Sequence, residues 1–449
     1  MNNTASPTPA PARPAALAFI FITVLIDILS FGLIIPVLPH LIENFLQGNV
    51  SNAALWYGWF QTTFMAMQFI FTPVQGALSD WLGRRPVILL SNLGLGLDFL
   101  MMALVNSLPL LLIARVISGA TAASFSTANA YIADVTPPEQ RAAAFGKIGM
   151  AFGIGFLIAP VIGGFLGDVH IRAPFWCAVV LCIGNFLYGF FVLPESLPKE
   201  KRTGGFDWAH ANPLGALKLL RRYPQVIGLI GVLFLMALAH MVYPSMFVLY
   251  ADYRFDWGPK MVGITLGLVG ILTMIVQGVL IKPIVARLGE RRAMVFGLGC
   301  GTLGFILYAL APTGYWFWAA MPIAALWGVA QPAVQAIMSN QVDPREQGRL
   351  QGAVASLSSI AGIIAPQVYT NVFSGVTRAS QHNAWSGVIF AMSGLMVGIG
   401  GLLAWRVTRN MPAANANKLP ETIAATAQTE SVAAEEALQP PVGENSRQA

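Results

Sequence analysis

Three ionisable residues, Asp27, Asp98 and Arg115, stand deep inside long apolar runs of this sequence. A charge at mid-membrane is costly, so such residues usually pair and usually line a polar path. At ~1.5 Å of rise per residue, Asp27 lies ~16 Å from the inner end of its run, Asp98 ~18 Å and Arg115 ~20 Å, in a core ~30 Å thick. Two chemistries fit this set. One is a fixed ion pair that only fastens two helices. The other is a carboxylate that gains and loses a proton, with Asp98 as a second carrier, a substrate contact or a helix–helix hydrogen bond.

A second constellation is GALSDWLGRRPVILL at residues 76–90, which sets Asp80 beside Arg84 and Arg85 between two apolar runs. A Gly-Arg-Arg turn there places guanidiniums near Asp80 and near Asp134, where bidentate pairs would hold helix ends together and break when they separate. The plainer reading is a solvated turn with interfacial positive charge.

The elements that must position these groups are membrane helices. The chain of 449 residues is 56% hydrophobic and only 10% charged, against roughly a quarter charged in soluble proteins. Apolar runs near the ~20 residues needed to cross a bilayer recur at about 16–38, 54–75, 86–106, 108–132, 142–167, 173–194, 225–250, 259–281, 292–311, 315–340, 348–375 and 384–406. The predicted architecture is therefore an all-α integral membrane protein with twelve transmembrane helices. A tail (1–15), a six-helix half (16–194), a polar loop (195–224), a second half (225–406) and an Ala/Glu/Gln/Pro-rich tail (407–449) follow one another. Both tails are expected to be disordered. With the N-terminus inside, the inner segments hold 21 Lys and Arg and the outer loops 4, which predicts that both termini are cytoplasmic. That bias explains the net charge of +6 without nucleic acid. Cys177, Cys182 and Cys300 fall in apolar runs and read as packing residues.

The halves echo each other. Asp80-Trp-Leu-Gly83-Arg-Arg85 answers Ala286-Arg-Leu-Gly289-Glu-Arg-Arg292, Pro137-Pro-Glu-Gln140 answers Pro344-Arg-Glu-Gln347, and Ala159-Pro160 answers Ala365-Pro366, all offset by 206 or 207 residues. Such duplication is a signature of secondary transporters.

The loop at 76–85 resembles that of the major facilitator superfamily, Gly-x-x-x-Asp-Arg/Lys-x-Gly-Arg-Arg. Gly76, Asp80, Gly83, Arg84 and Arg85 match, while Trp81 replaces the usual cation. DILSFGLIIPVLPHL, MQFIFTPVQGALSD, AYIADVTPPEQRAAAFG and QPAVQAIMSNQV with QGRLQG carry the resemblance, over about residues 16–406, to the twelve-span drug–proton antiporters and their tetracycline-efflux branch. It implies two halves around a central cavity, with spans one and four lining it, so that Asp27 and Arg115 would face each other. It implies a cytoplasmic gate formed by Gly76, Asp80, Gly83, Arg84, Arg85 and Asp134. Span five matches the antiporter pattern Gly-x8-Gly-x3-Gly-Pro-x2-Gly-Gly at Gly146, Gly155, Pro160, Gly163 and Gly164, with Ala159 for the glycine before the proline. Helical spacing of small residues allows close helix approach whatever the function.

Gln61, Gln68, Asn129, Tyr243, Gln277, Trp327, Gln331 and Gln335 are cavity candidates, with helix packing the alternative for each; His240 is divided between packing and proton relay. Tetracycline pumps carry an aspartate in span nine and often a histidine in span eight, where this sequence has Gly301 and Thr273. Proton handling would then fall to Asp27 and Asp98, and the substrate, a metal–tetracycline chelate in those pumps, would differ here. The reading is export of small amphipathic molecules or drugs in exchange for protons, with tetracycline-type efflux one form of it, by a monomer in a bacterial inner membrane. The alternative is a nutrient importer or facilitator in the same fold. There is no P-loop, no metal cluster in the spans and no nucleophile with a base, so neither an enzyme nor a metal or cofactor is expected; the proton gradient is the energy source.

Overall fold

The computed structural model describes residues 14–122, 124–137, 140–203, 205, 224–343, 346–378 and 384–409. Most of both tails, most of the central loop, Pro138-Glu139 and Pro344-Arg345 lie outside the described residues. The described elements are helical. In the first half these are α1 (Pro14–Ile34), α2 (Leu38–Phe45), α3 (Val50–Leu82), α4 (Arg84–Leu104), α5 (Leu108–Thr121), α6 (Ser124–Val135), α7 (Arg141–Val169) and α8 (Ala173–Val192). The second half continues with α9 (Pro224–His240), α10 (Val242–Phe255), α11 (Pro259–Ile275), α12 (Ile281–Leu310), α13 (Gly314–Ala325), α14 (Ala330–Ser339), α15 (Gln347–Thr377) and α16 (Val388–Thr408).

Local sequence sets the breaks. Asn49 caps α3 by accepting from the Asn52 amide at 3.0 Å, and prolines open α5, α8 and α11, where a missing N–H is harmless. Asp256 ends α10 in the left-handed conformation (φ 57°). Among the described residues, ten helical stretches are long and apolar enough to cross a membrane. One of them, Pro259–Leu310, is two crossings joined at Gly289, whose φ of 73° no helix tolerates. The 33-residue α3, although more polar, is also long enough to cross. Twelve spans are consistent with this count.

Within each half the helices pair in the same way: α4 packs on α5 and α6, as α12 packs on α13 and α14. Between halves, the main seams are α3 against α15 and α7 against α11.

Candidate functional site

The Asp80 turn is built by Gly83, whose φ of 108° and close approach to Glu195 and Arg202 exclude any side chain. The turn presents Arg84 at the start of α4. Its Nη1 lies 2.6 Å from Asp80 Oδ1 and donates to Ser79 Oγ at 2.6 Å, while Nε is 3.1 Å from Asp134 Oδ2 at the end of α6. Arg84 therefore ties three helices of the first half. Sequence reasoning missed the linker's share. Glu195 accepts from the backbone amides of Arg84 (2.8 Å), Ser196 (3.0 Å) and Leu197 (3.2 Å), and its other oxygen is 3.5 Å from Arg202. The Thr203 amide donates to the Asp80 carbonyl at 3.1 Å. Arg85 departs from the expected cluster: it reaches α8, donating to the Phe190 carbonyl and lying 5.8 Å from that ring's centroid.

Inside the helices, the expected meeting of Asp27 with Arg115 is not what the structure shows. Arg115 forms its ion pair with Asp98, both side chains being almost completely enclosed, and its guanidinium carbon lies 5.5 Å from the Phe64 ring centroid. The physical reason is adjacency: α4 packs directly on α5, so a carboxylate at matching depth on α4 reaches Arg115 first. Asp27 sits in an amide cradle. Asn185 Nδ2 donates to its Oδ1 at 3.0 Å. With its amide turned to donate, Asn92 reaches the two Asp27 oxygens at 3.2 and 3.3 Å and accepts from Asn185 at 3.1 Å. Three helices, α1, α4 and α8, thus converge on one carboxylate. Neutral amides in spans are common, and nothing in their spacing singled these out.

The small residues of α7 divide between two neighbours. A Cβ on Gly155 would stand 2.5 Å from Ile28 Cγ2, and one on Gly163 would strike the Leu33 carbonyl, so this stripe seats α1. On the next stripe, Gly164 lies against Gly263 and the Pro259 carbonyl, and Gly263 against the Pro160 carbonyl, which seats α11 of the other half. Gly146 lies nearer the start of α7.

Hydrogen bonds among the described residues join the halves at the end remote from Asp80. There Ser51 Oγ is 2.7 Å from Ser374 Oγ and accepts from Arg378 Nε at 3.1 Å. Tyr57 donates to the Pro244 carbonyl at 2.7 Å, and Thr62 to the Ile363 carbonyl at 3.0 Å. Nearer the Asp80 end, added Cβ atoms on Gly76, Gly149, Gly153 and Gly278 would meet no described atom within 4 Å.

The cavity candidates scatter. Gln61 joins the inter-half seam, donating to Tyr57 at 2.8 Å and to the Pro244 carbonyl at 3.2 Å. Gln68 donates within its own half to the Ala122 carbonyl at 3.5 Å. Gln277 and Gln331 are exposed; Asn129 and Gln335 are half-buried. Tyr243 and Trp327 do come together, with His240 between them at ring-centroid distances of 5.8 and 6.0 Å. Phe305 lies 5.2 Å from Trp327 and 5.7 Å from Tyr243. A Cβ on Gly301 would come within 2.7 Å of the Trp327 ring, so the indole fills the space that an acid at 301 would need.

A duplicated helical bundle that meets along two small-residue seams, with buried charge near its centre, defines a multi-pass membrane protein of the secondary-transporter class. The family model of the Major Facilitator Superfamily matches residues 20–366. The tetracycline resistance protein, class C, of Escherichia coli is 37% identical over 83% of this chain and 92% of its own length. Multidrug resistance protein 2 of Bacillus subtilis is 28% identical over 88% and 97%. Among solved structures, the nucleoside transporter NupG superposes with a TM-score of 0.70 at 16% identity, covering 88% of this chain and 98% of that one, a likeness of fold alone. The chain belongs to the major facilitator superfamily and, within it, to the tetracycline-efflux branch.

Proposed function

We propose that this protein exports small amphipathic compounds in exchange for protons by alternating access. The observation that carries the reading is mechanical. Asp27 is the sequence neighbour of Ile28, the residue seated on Gly155 of α7, and α7 forms the seam with α11 of the other half. Protonation of the amide-cradled carboxylate would alter how α1 bears on that seam, so proton release and a change in the angle between halves would be one event. Asp98 and Arg115 supply a second titratable centre. The Asp80–Arg84–Asp134 cluster then keeps the first half rigid while the seams open and close.

In this reading both termini face the cytoplasm of a bacterial inner membrane, the Asp80 end is cytoplasmic, and a monomer suffices. The similarity to tetracycline and multidrug resistance proteins supports export over uptake. The test is a compound-panel susceptibility assay in a pump-deficient host, with the wild-type gene, with Asp27→Asn and with none. Protection that Asp27→Asn removes is the expected result; equal susceptibility with and without the wild-type gene for every compound would overturn it.

A further inference from the structure

At the closed end, α2 of the first half meets α10 of the second. His40 and Glu43 stand one turn apart on α2, and Asp252 comes from α10. His40 Nδ1 is 3.8 Å from Asp252 Oδ2 and 4.0 Å from Glu43 Oε2. One ligand atom from each of the three residues lies within 4.8 Å of the others. The side chains are mostly enclosed, at 11%, 15% and 24% exposed.

Three points favour a cation among them. First, two carboxylates whose oxygens lie within 4.8 Å of each other repel, and a cation between them turns that repulsion into attraction. Among the described residues neither forms an ion pair with lysine or arginine, and Asp256, at the end of α10, adds further negative charge beside Asp252. Second, separations of 3.8 and 4.0 Å are too long for hydrogen bonds, and they exceed by only about half an ångström the spacing of donors bonded at about 2.0–2.2 Å to a tetrahedral ion, a difference that side-chain rotation closes. Third, one imidazole nitrogen with carboxylate oxygens is a donor set that zinc accepts, with a fourth position left for water.

We propose that His40, Glu43 and Asp252 form a site for a divalent transition-metal ion of the zinc class, assembled only while this end of the protein is closed. Because the donors come from both halves, the ion staples α2 to α10 and opposes the opening of that end. The binding claim stands apart from the export reading; only the effect on turnover rests on it.

The test uses purified full-length protein and zinc chloride as the probe. Calorimetric titration should find a zinc site whose occupancy raises the thermal unfolding temperature, as a ligand of the folded state must. His40→Ala and Asp252→Asn should each weaken binding at least about tenfold, since even indirect supports of a metal site are worth that much. Glu43→Gln, the mildest change, serves as the control on folding and should weaken binding with an unfolding temperature near wild type when zinc is absent. In vesicles, zinc should slow export by the wild-type protein and not by His40→Ala. Unchanged zinc affinity in both His40→Ala and Asp252→Asn overturns the site. So does a stabilisation that follows pH and ignores zinc, which would assign the gap to a shared proton. Failure of vesicle export under every condition would count against the export reading and leave the calorimetric result standing.

Discussion

The two halves of this protein solve the same packing problem with opposite chemistry. Shifted by 206 residues, Asp98 and Arg115 correspond to Gly304 and Met321. In the first half, α4 and α5 are joined there by an enclosed ion pair. In the second, α12 and α13 approach so closely that a Cβ on Gly304 would lie 2.6 Å from Ala324 Cα, with Met321 buried nearby. The surroundings follow suit. Near Asp27 stand Asn92 and Asn185; in the second half Phe305, Tyr308, Phe317 and Phe390 stack on one another at 4.1 to 6.5 Å between centroids. Since glycine and methionine hold the second pair of helices, charge is not needed to hold the first. Enclosed ion pairs are often replaceable by apolar packing without loss of stability. The charges of the first half are better explained by work than by fastening.

The largest expected effect tests that statement directly. Arg115→Ala leaves Asp98 enclosed without its cation and should cost about 3–5 kcal/mol of stability, read as a large drop in the unfolding temperature in detergent, together with loss of export. The double variant Asp98→Gly/Arg115→Met installs the second half's solution in the first. It should recover most of the stability and none of the uphill export. Wild-type accumulation ratios in that double variant would reduce the pair to a fastener.

Next in size is Asp27→Asn, which keeps the cradle's shape and removes the titration. Folding should be near normal, with proton-driven export lost and downhill exchange of substrate retained. Uphill export at the wild-type rate would end the role proposed for this carboxylate.

Much of this contrast was legible in the sequence, and the gaps have physical causes. Span positions, the Asp80 turn and the small-residue pattern of α7 are properties of local sequence, and each appears where periodicity and spacing place it. The Asp98–Arg115 pair was within reach, since their depths, ~18 and ~20 Å, match as well as any. Depth, however, fixes height along a helix and says nothing about which neighbour it faces; that depends on how α1, α4 and α5 are arranged around one another. Asn92 and Asn185 carried no signal because an amide in a span is ordinary helix glue until something titratable is found beside it. Glu195 lies in the linker, where an acid is unremarkable by composition, and only the fold brings it under Arg84.

The Asp80 cluster should give a smaller effect, on rate rather than on recognition. Its described ion pairs join α3, α4, α6 and the linker, all at one end of the first half. Asp80→Ala should leave substrate binding to solubilised protein unchanged while turnover falls several-fold. Because Glu195 reaches the same turn through the Arg84 amide, Glu195→Gln should reproduce the phenotype. Lost binding with normal turnover at saturation would move the cluster into the substrate site.

The smallest effect concerns what the aromatic half selects. Trp327 closes over Gly301, and its indole nitrogen is enclosed without a hydrogen-bond acceptor. A magnesium chelate seeks oxygen ligands and negative charge, and the rings around His240 bring no carboxylate to it. Planar aromatic compounds, uncharged or cationic, gain from stacking on Tyr243 and Trp327, at about 0.5–1.5 kcal/mol per ring pair. Trp327→Ala should therefore weaken export of such compounds by only a few-fold, the equivalent of one such contact. Gly301→Asp alone should impair the protein, because the indole occupies the acid's space. Gly301→Asp combined with Trp327→Ala should tolerate the acid and gain magnesium-dependent tetracycline export. Accumulation assays with and without magnesium decide the matter. If the wild-type protein already exports tetracycline strongly and only with magnesium, the chelate must be held by Asp27 and Asp98, and the charged half reads the drug while the aromatic half merely encloses it.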